Sequence, residues 1–269
     1  MVREIKKDLN RAYYQEEVFW KQKSRNQWLQ AGDRNTKHFH VCAKKRKAIN
    51  RILSVKDNHG VEKLGEEMIS ETAVEYFQRV YESASPSLWD SFFENFTSPV
   101  TEDMNSQLTR EVTTKEIRKA AMNINGDKAP GPDGMTGHFY HQFWSTIGEA
   151  IISEVREFFN TGVMPSQLNH TNICLLPKID KPEKMCDYRP ISLCNASYKI
   201  ISKILTSRLK PVLPEIISPE QTEFVPGRQI TDNVLVAHEL LHSLNHRRRQ
   251  SKSYMAIKTD ISKAYDRVE

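Results

Sequence analysis

The eight residues "DKAPGPDG", Asp127 to Gly134, constrain the fold more than any other stretch of the chain. Proline lacks the amide N–H that a helix interior needs, and glycine admits backbone angles closed to other residues. Two of each within eight residues force a defined turn. On both sides the apolar residues keep helical spacing. Upstream, Thr113 and Glu116 stand at capping-box spacing, and Ile117, Ala120, Ala121 and Ile124 form a stripe that ends at Gly126. Downstream, Phe139, Phe143, Ile147, Ile151 and Val155 recur every fourth residue, as expected of one or two buried helices.

The period changes in "TNICLLPKIDKPEKMCDYRPISLCN", where two short apolar runs flank a charged turn. This reads as a β-hairpin with Lys178 and Arg189 in its two arms. "SYKIISKILTSRLKPVL" returns to helix, with Ile200, Ile204 and Leu209 inward and Pro211 and Pro214 ending it. "ITDNVLVAHELLHSLNHRRRQ" is a further helix, capped by Thr231 or Asp232, with Leu235, Leu241 and Leu244 facing a core. "YMAIKTDISKAYDRVE" begins as a strand through Tyr254, Ala256 and Lys258 and turns helical near Ser262.

Nearer the start, a long helix with Ile5, Leu9, Ala12, Tyr13, Phe19 and Trp20 at roughly helical spacing is broken at Gly32 and Asp33. A basic helix, "TKHFHVCAKKRKA", follows, then a hairpin turning around Asp57, Asn58 and Gly60, then a helix with Ile69, Ala73, Tyr76, Phe77 and Val80 on one face. Residues 83–110 are rich in Ser, Thr and Pro and weakly patterned, which marks a connector between a region at 1–82 and a domain at 111–269.

Charge is unevenly spread. Residues 1–56 carry 15 Lys/Arg against 5 Asp/Glu, and the rest of the chain is net acidic, so the basic leader suggests an anionic partner. Trp20, Trp28 and Phe39 within it are aromatics that either pack between helices or stack on bases. Lys44, Lys45, Arg46 and Lys47 form a basic patch suited to phosphate contact or nuclear targeting. No apolar run approaches the roughly 20 residues of a membrane span. The start lacks an apolar secretory core, and the four cysteines have no C-x-x-C spacing. An intracellular protein of nucleus or cytoplasm is expected, with no membrane partner. The oligomeric state is left open.

The stretch "HELLHSLNH" places His238, Glu239 and His242 at zinc-hydrolase spacing. The helix then runs straight to His246 and into "RRRQSKS", without the bend that brings a third ligand round, and three adjacent cations disfavour a dication. Histidines on a partly exposed helix face are the simpler reading.

"KAPGPDG", "LLPK...YRPISL", "YKIISKILTSRL", "QTEFVPGRQITDN" and "KTDISKAYDRV" occur in that order. Together they resemble the reverse transcriptase of LINE-type (non-LTR) retrotransposons, most closely those of plants, and "FWKQKSRNQWLQAGDRNTKHFH" looks like the linker that precedes the polymerase there. The resemblance implies an α+β, mostly helical fold: a basic linker, then the fingers and the beginning of the palm of a right-hand polymerase. It implies an RNA template, a DNA primer and deoxynucleoside triphosphates as partners, and two-metal nucleotidyl transfer with Mg²⁺.

Residue by residue, the resemblance makes Asp260 the first metal-binding carboxylate and Tyr265 the aromatic under the incoming sugar. Lys178 and Arg189 match the cations that meet the triphosphate, where an ammonium and a bidentate guanidinium suit phosphate oxygens. Gln221, Phe224, Gly227 and Arg228 match the template-side element. The family's second carboxylate pair lies well downstream, whereas this sequence ends nine residues after Asp260. A truncated enzyme is therefore expected, inactive alone, with "YMAIKTD" an unpaired edge and stability marginal. A non-catalytic nucleic-acid-binding remnant is the alternative, and the zinc hydrolase a distant third.

Overall fold

The computed structural model describes residues 1–24, 36–82, 97–246 and 255–259, with the backbone alone at 245 and 246. Among the described residues the fold is mostly helical with two small two-stranded sheets. Its two compact units do not follow chain order. One comprises Met1–Arg79 with Asn172–Leu193, the other Val80–Thr171 with Cys194–Glu269. Most of the segment expected as a β-hairpin, Asn172–Leu193, thus belongs with the N-terminal unit, although it interrupts the second unit in sequence.

In the N-terminal unit α1 (Val2–Ser24) packs against α2 (Thr36–Ile49). Phe39 is fully buried, and Trp20 lies over His40 with ring centroids 3.4 Å apart. Packing has therefore claimed both aromatics; Trp28 lies outside the described residues. The expected α1 stripe is not covered, and Ile5, Leu9, Tyr13 and Phe19 are exposed. Next, β1 (Ser54–Lys56) pairs antiparallel with β2 (Glu62–Leu64), Lys56 opposite Glu62. The Asp57 carboxylate makes that turn by accepting the amides of His59 and Val61, both at 2.9 Å. The amide of Val61, with help from His59 and Lys63, holds the Asp57 carboxyl below its usual range. Helix α3 (Glu66–Tyr81) buries Phe77 as its spacing foretold. Strands β3 (Thr171–Pro177) and β4 (Tyr188–Cys194) form the second sheet.

The second unit contains α4 (Glu102–Thr109), α5 (Thr114–Met122), α6 (Gly137–Thr161), α7 (Ser166–Asn169), α8 (Ala196–Leu209), α9 (Leu213–Ile216) and α10 (Ile230–His246). Its core is built where periodicity placed it. Ile117, Ala120, Ala121 and Ile124 meet Tyr140, Ile152 and Val155 of α6 and Ile200, Ile201 and Ile204 of α8. Side chains like the fully buried Ile117, Ile200 and Ile204 contribute about 1.5–3 kcal/mol each. Phe143 and Leu209 are more exposed than their spacing suggests.

Three segments differ from expectation. The connector contains α4, started by the Thr101 hydroxyl accepting the Met104 amide at 3.3 Å and by Glu102 and Asp103 in the first turn. On α10, Leu235 and Leu241 are not core: they are 63% and 53% exposed. Periodicity identifies an apolar face but not what covers it. Residues 255–259 belong to no strand, because a strand needs a paired neighbour and none is present among the described residues.

Candidate functional site

The β3–β4 pair is closed by a turn whose hydrogen bonds run through one carboxylate. Asp187 Oδ2 accepts the amides of Glu183 at 3.0 Å and Lys184 at 2.9 Å. Those amides hold the Asp187 carboxyl below its usual range. The Asp187 carbonyl accepts the Lys178 amide at 2.8 Å, and Lys178 Nζ donates to the Cys186 carbonyl at 2.9 Å. Lys178 directly follows β3 and Arg189 is the second residue of β4, so the hairpin brings both exposed cations to its turn end. Met185 and Tyr188 are buried and anchor the turn.

A second set of contacts fixes this turn to β1. Lys56 donates its amide to the Glu183 carbonyl at 2.7 Å and its Nζ to Glu183 Oε2 at 2.5 Å. Lys56 also forms a parallel bridge with Lys184. Hydrogen bonding to Glu183 raises the Lys56 pKa, and the same bond lowers that of Glu183. Nothing in the local sequence announces a contact spanning more than a hundred residues.

Gln221, Phe224, Gly227 and Arg228 share one loop of the second unit, between α9 and α10. Arg228 organises it. Its Nη1 donates to the carbonyls of Ser218 at 2.5 Å and Gln221 at 2.6 Å, and its Nη2 to those of Pro214 and Ile217, both at 3.0 Å. The guanidinium thus closes the loop, and a phosphate would compete with four carbonyls for it. Gly227 has φ +82°, and a Cβ there would meet nothing within 4 Å. Glycine answers a conformational demand at this position, not close packing within the chain. Phe224 has φ 64° and is 88% exposed. A bulky side chain in that region stores strain, and here no burial offsets it.

Two features of the second unit escaped the sequence. Asn195, buried at the start of α8, makes no side-chain cap bond to its own helix. Its Oδ1 accepts the Asp133 amide at 3.2 Å, and its Nδ2 donates to the carbonyls of Gln167 at 3.1 Å and Leu168 at 3.3 Å. The Pro/Gly turn presses against the same residue: a Cβ on Gly131 would lie 2.5 Å from Asn195 N and 2.6 Å from the Cys194 carbonyl oxygen. Burial, then the charge of Asp133, pushes the Tyr140 hydroxyl up to about 12.

The other feature is Arg208, whose Nε and Nη2 hold Glu116 at 2.9 and 3.1 Å. Its Nη1 donates to the carbonyls of Leu108 and Arg110 at 2.9 and 2.7 Å. This bond to Arg208 keeps the Glu116 carboxyl below its usual range. Thr113 caps α5 as its spacing foretold, its hydroxyl accepting the Glu116 amide at 3.2 Å.

Lys44, Lys45, Arg46 and Lys47 are exposed on α2, and Arg46 donates to the Ser24 carbonyl at 2.5 Å, closing the end of α1. Asp260 and Tyr265 lie outside the described residues. His238, Glu239 and His242 are exposed on α10. Among the described residues no group of three or more His, Cys, Asp or Glu side chains is placed to hold a metal ion. The zinc alternative gains no support. No described helix is long and apolar enough to cross a membrane.

Residues 177–269 match the family described as reverse transcriptase (RNA-dependent DNA polymerase). Over 253 residues the chain is 32% identical to the uncharacterized 149 kDa protein of transposon TX1 from Xenopus laevis, covering 92% of this chain and 19% of that protein. It is 24% identical over 155 residues to the retrovirus-related Pol polyprotein of type-2 retrotransposable element R2DM from Drosophila melanogaster, covering 58% of this chain and 14% of that one. Against the Pol polyprotein of type-1 retrotransposable element R2 from Popillia japonica the identity is 29% over 162 residues, 59% of this chain and 21% of that one. The chain spans about a fifth or less of the length of these relatives.

Proposed function

We propose, since this chain carries the reverse transcriptase of a LINE-type (non-LTR) retrotransposon over residues 177–269, that it supplies the fingers and the start of the palm of an RNA-directed DNA polymerase. The observation that carries the reading is the hairpin, which holds Lys178 and Arg189 at one end with Arg189 free of side-chain partners among the described residues. There the two cations meet the triphosphate of an incoming deoxynucleotide. The primer 3′ oxygen attacks the α-phosphorus and pyrophosphate leaves. Phe224, strained and exposed, offers a stacking face to a template base, and the loop closed by Arg228 presents it.

Asp260 is the residue to hold Mg²⁺, a hard ion suited to carboxylate oxygens. When bound, the ion would stabilise charge on the leaving pyrophosphate. Tyr265 would lie under the sugar. The residues 1–82 act as the basic linker, 83–110 as connector and 111–269 as the polymerase portion. A template RNA, a DNA primer and deoxynucleoside triphosphates are the partners.

Titration of a fluorescent deoxynucleoside triphosphate with Mg²⁺ into the purified chain tests this. Lys178→Gln and Arg189→Gln should each weaken binding about tenfold or more, since a hydrogen bond to a charged group contributes about 1.5–3 kcal/mol. Wild-type protein that never saturates would count against the reading. A second reading, nucleic-acid binding without polymerisation, draws on the exposed Lys44, Lys45 and Lys47 of α2. RNA binding with no saturable triphosphate binding would favour it, whereas triphosphate binding that is lost in Lys178→Gln or Arg189→Gln would favour the polymerase portion.

A further inference from the structure

The second unit contains a groove of about 400 Å³ between α5 and α8, lined by none of the residues assigned to the triphosphate or the template above. Five cationic side chains line it, Arg110, Lys115, Lys119, Lys203 and Arg208, against a single carboxylate, Glu116. The carboxylate is already neutralised. Arg208 grips it through two nitrogens, and Arg110 Nη2 lies 3.3 Å from it. Arg208 is equally committed, because its remaining N–H groups go to backbone carbonyls. This pair forms a spent floor to the groove and neither attracts nor repels a ligand strongly.

Three ammoniums are left above it. Lys115 and Lys119 stand one turn apart on the exposed face of α5, and Lys203 lines the groove from α8 while donating to the Asn123 carbonyl at 2.9 Å. Among the described residues none of the three pairs with a carboxylate. Like charges at i and i+4 on a helix are mutually destabilising, so the arrangement costs stability unless an anion lies over it. Four residues of helix rise about 6 Å, so the flexible Lys115 and Lys119 side chains can each hold a separate phosphate of one strand. The α5 N-terminus, at Thr113, adds a positive end to the same groove. No aromatic side chain lines it, so bases have no platform and the contact reads backbone alone.

We propose that the α5–α8 groove binds the sugar-phosphate backbone of a nucleic-acid strand, independently of base sequence, as a docking site additional to the hairpin and the 218–229 loop. The inference rests on the nucleic-acid polymerase reading above.

Fluorescence anisotropy of the full chain with labelled single-stranded RNA of mixed sequence, measured over a series of salt concentrations, tests it. Lys115→Gln/Lys119→Gln should weaken binding at least tenfold near 0.1 M salt. It should also flatten the slope of log K against log salt by about 1.4, from two lost single-strand contacts at about 0.7 each. Lys203→Gln should weaken binding from the opposite wall, Lys115→Arg/Lys119→Arg should retain it, and unfolding midpoints should match wild type for the α5 variants. Unchanged affinity and slope in the glutamine double variant, with wild type still binding, would overturn the groove and leave the polymerase reading standing. A wild-type chain that binds no RNA at low salt would overturn both.

Discussion

Arg208 is 6% exposed and ties α8 to Glu116 and to the chain leading into α5. A guanidinium so placed is satisfied only while all its acceptors hold position, and removing one partner of such a pair strands the other. Arg208→Met should lower stability by about 3 kcal/mol at neutral pH, as measured by denaturant unfolding. The pH dependence has a definite sign. Glu116 is held below its usual range in the folded chain, so its contribution is complete above the unfolded glutamate value of about 4.3 and is lost as pH falls through the lower folded value. The difference between wild type and Arg208→Met should therefore narrow below about pH 4. Spacing brought Glu116 to notice as a capping residue. Its partner, 92 positions away, becomes visible only when α5 and α8 pack.

At the scale of elements, the hairpin shows how position is transmitted. Contacts run from Lys56 to Glu183 and Lys184, from their amides to Asp187, and from its carbonyl to Lys178. The two strands and their cations were legible from two short apolar runs and the charged turn between them, but the anchorage on β1 was not, because β-pairing between distant segments leaves no periodic trace. Lys56→Glu should speed amide hydrogen exchange at Lys184 and Asp187 and weaken triphosphate binding. The double exchange Lys56→Glu/Glu183→Lys should restore both, and a Lys56→Glu variant with unchanged exchange and binding would mean that the backbone bridge alone positions the turn. The opposite lesson comes from α10, where helical spacing was correct and core orientation was not.

Across the whole molecule, burial is unequal. Among the described residues, one contiguous core joins α5, α6 and α8, while α1 and α10 leave most of their apolar residues uncovered. Local opening free energy follows buried contact. Hydrogen exchange followed by mass spectrometry should therefore protect α5, α6 and α8 most and α1 and α10 least, and uniform protection would refute this. The division into units carries a related point. Residues 172–193 cluster with Met1–Arg79, although more than ninety residues of chain separate the two segments.

What the sequence determined by itself was local or chemical. Proline and glycine made the turn at 127–134, apolar spacing made the helices and the α5–α6–α8 core, and motifs in order pointed to the reverse transcriptase family that residues 177–269 match. Tertiary structure alone decided that Asn195 abandons its own helix for the Asp133 turn, that Arg228 serves the loop carbonyls, and that Lys56 holds the hairpin. The reason is physical: hydrophobic periodicity repeats along the chain and can be read there, whereas a polar side chain's partner is whatever donor or acceptor folding brings within about 3 Å.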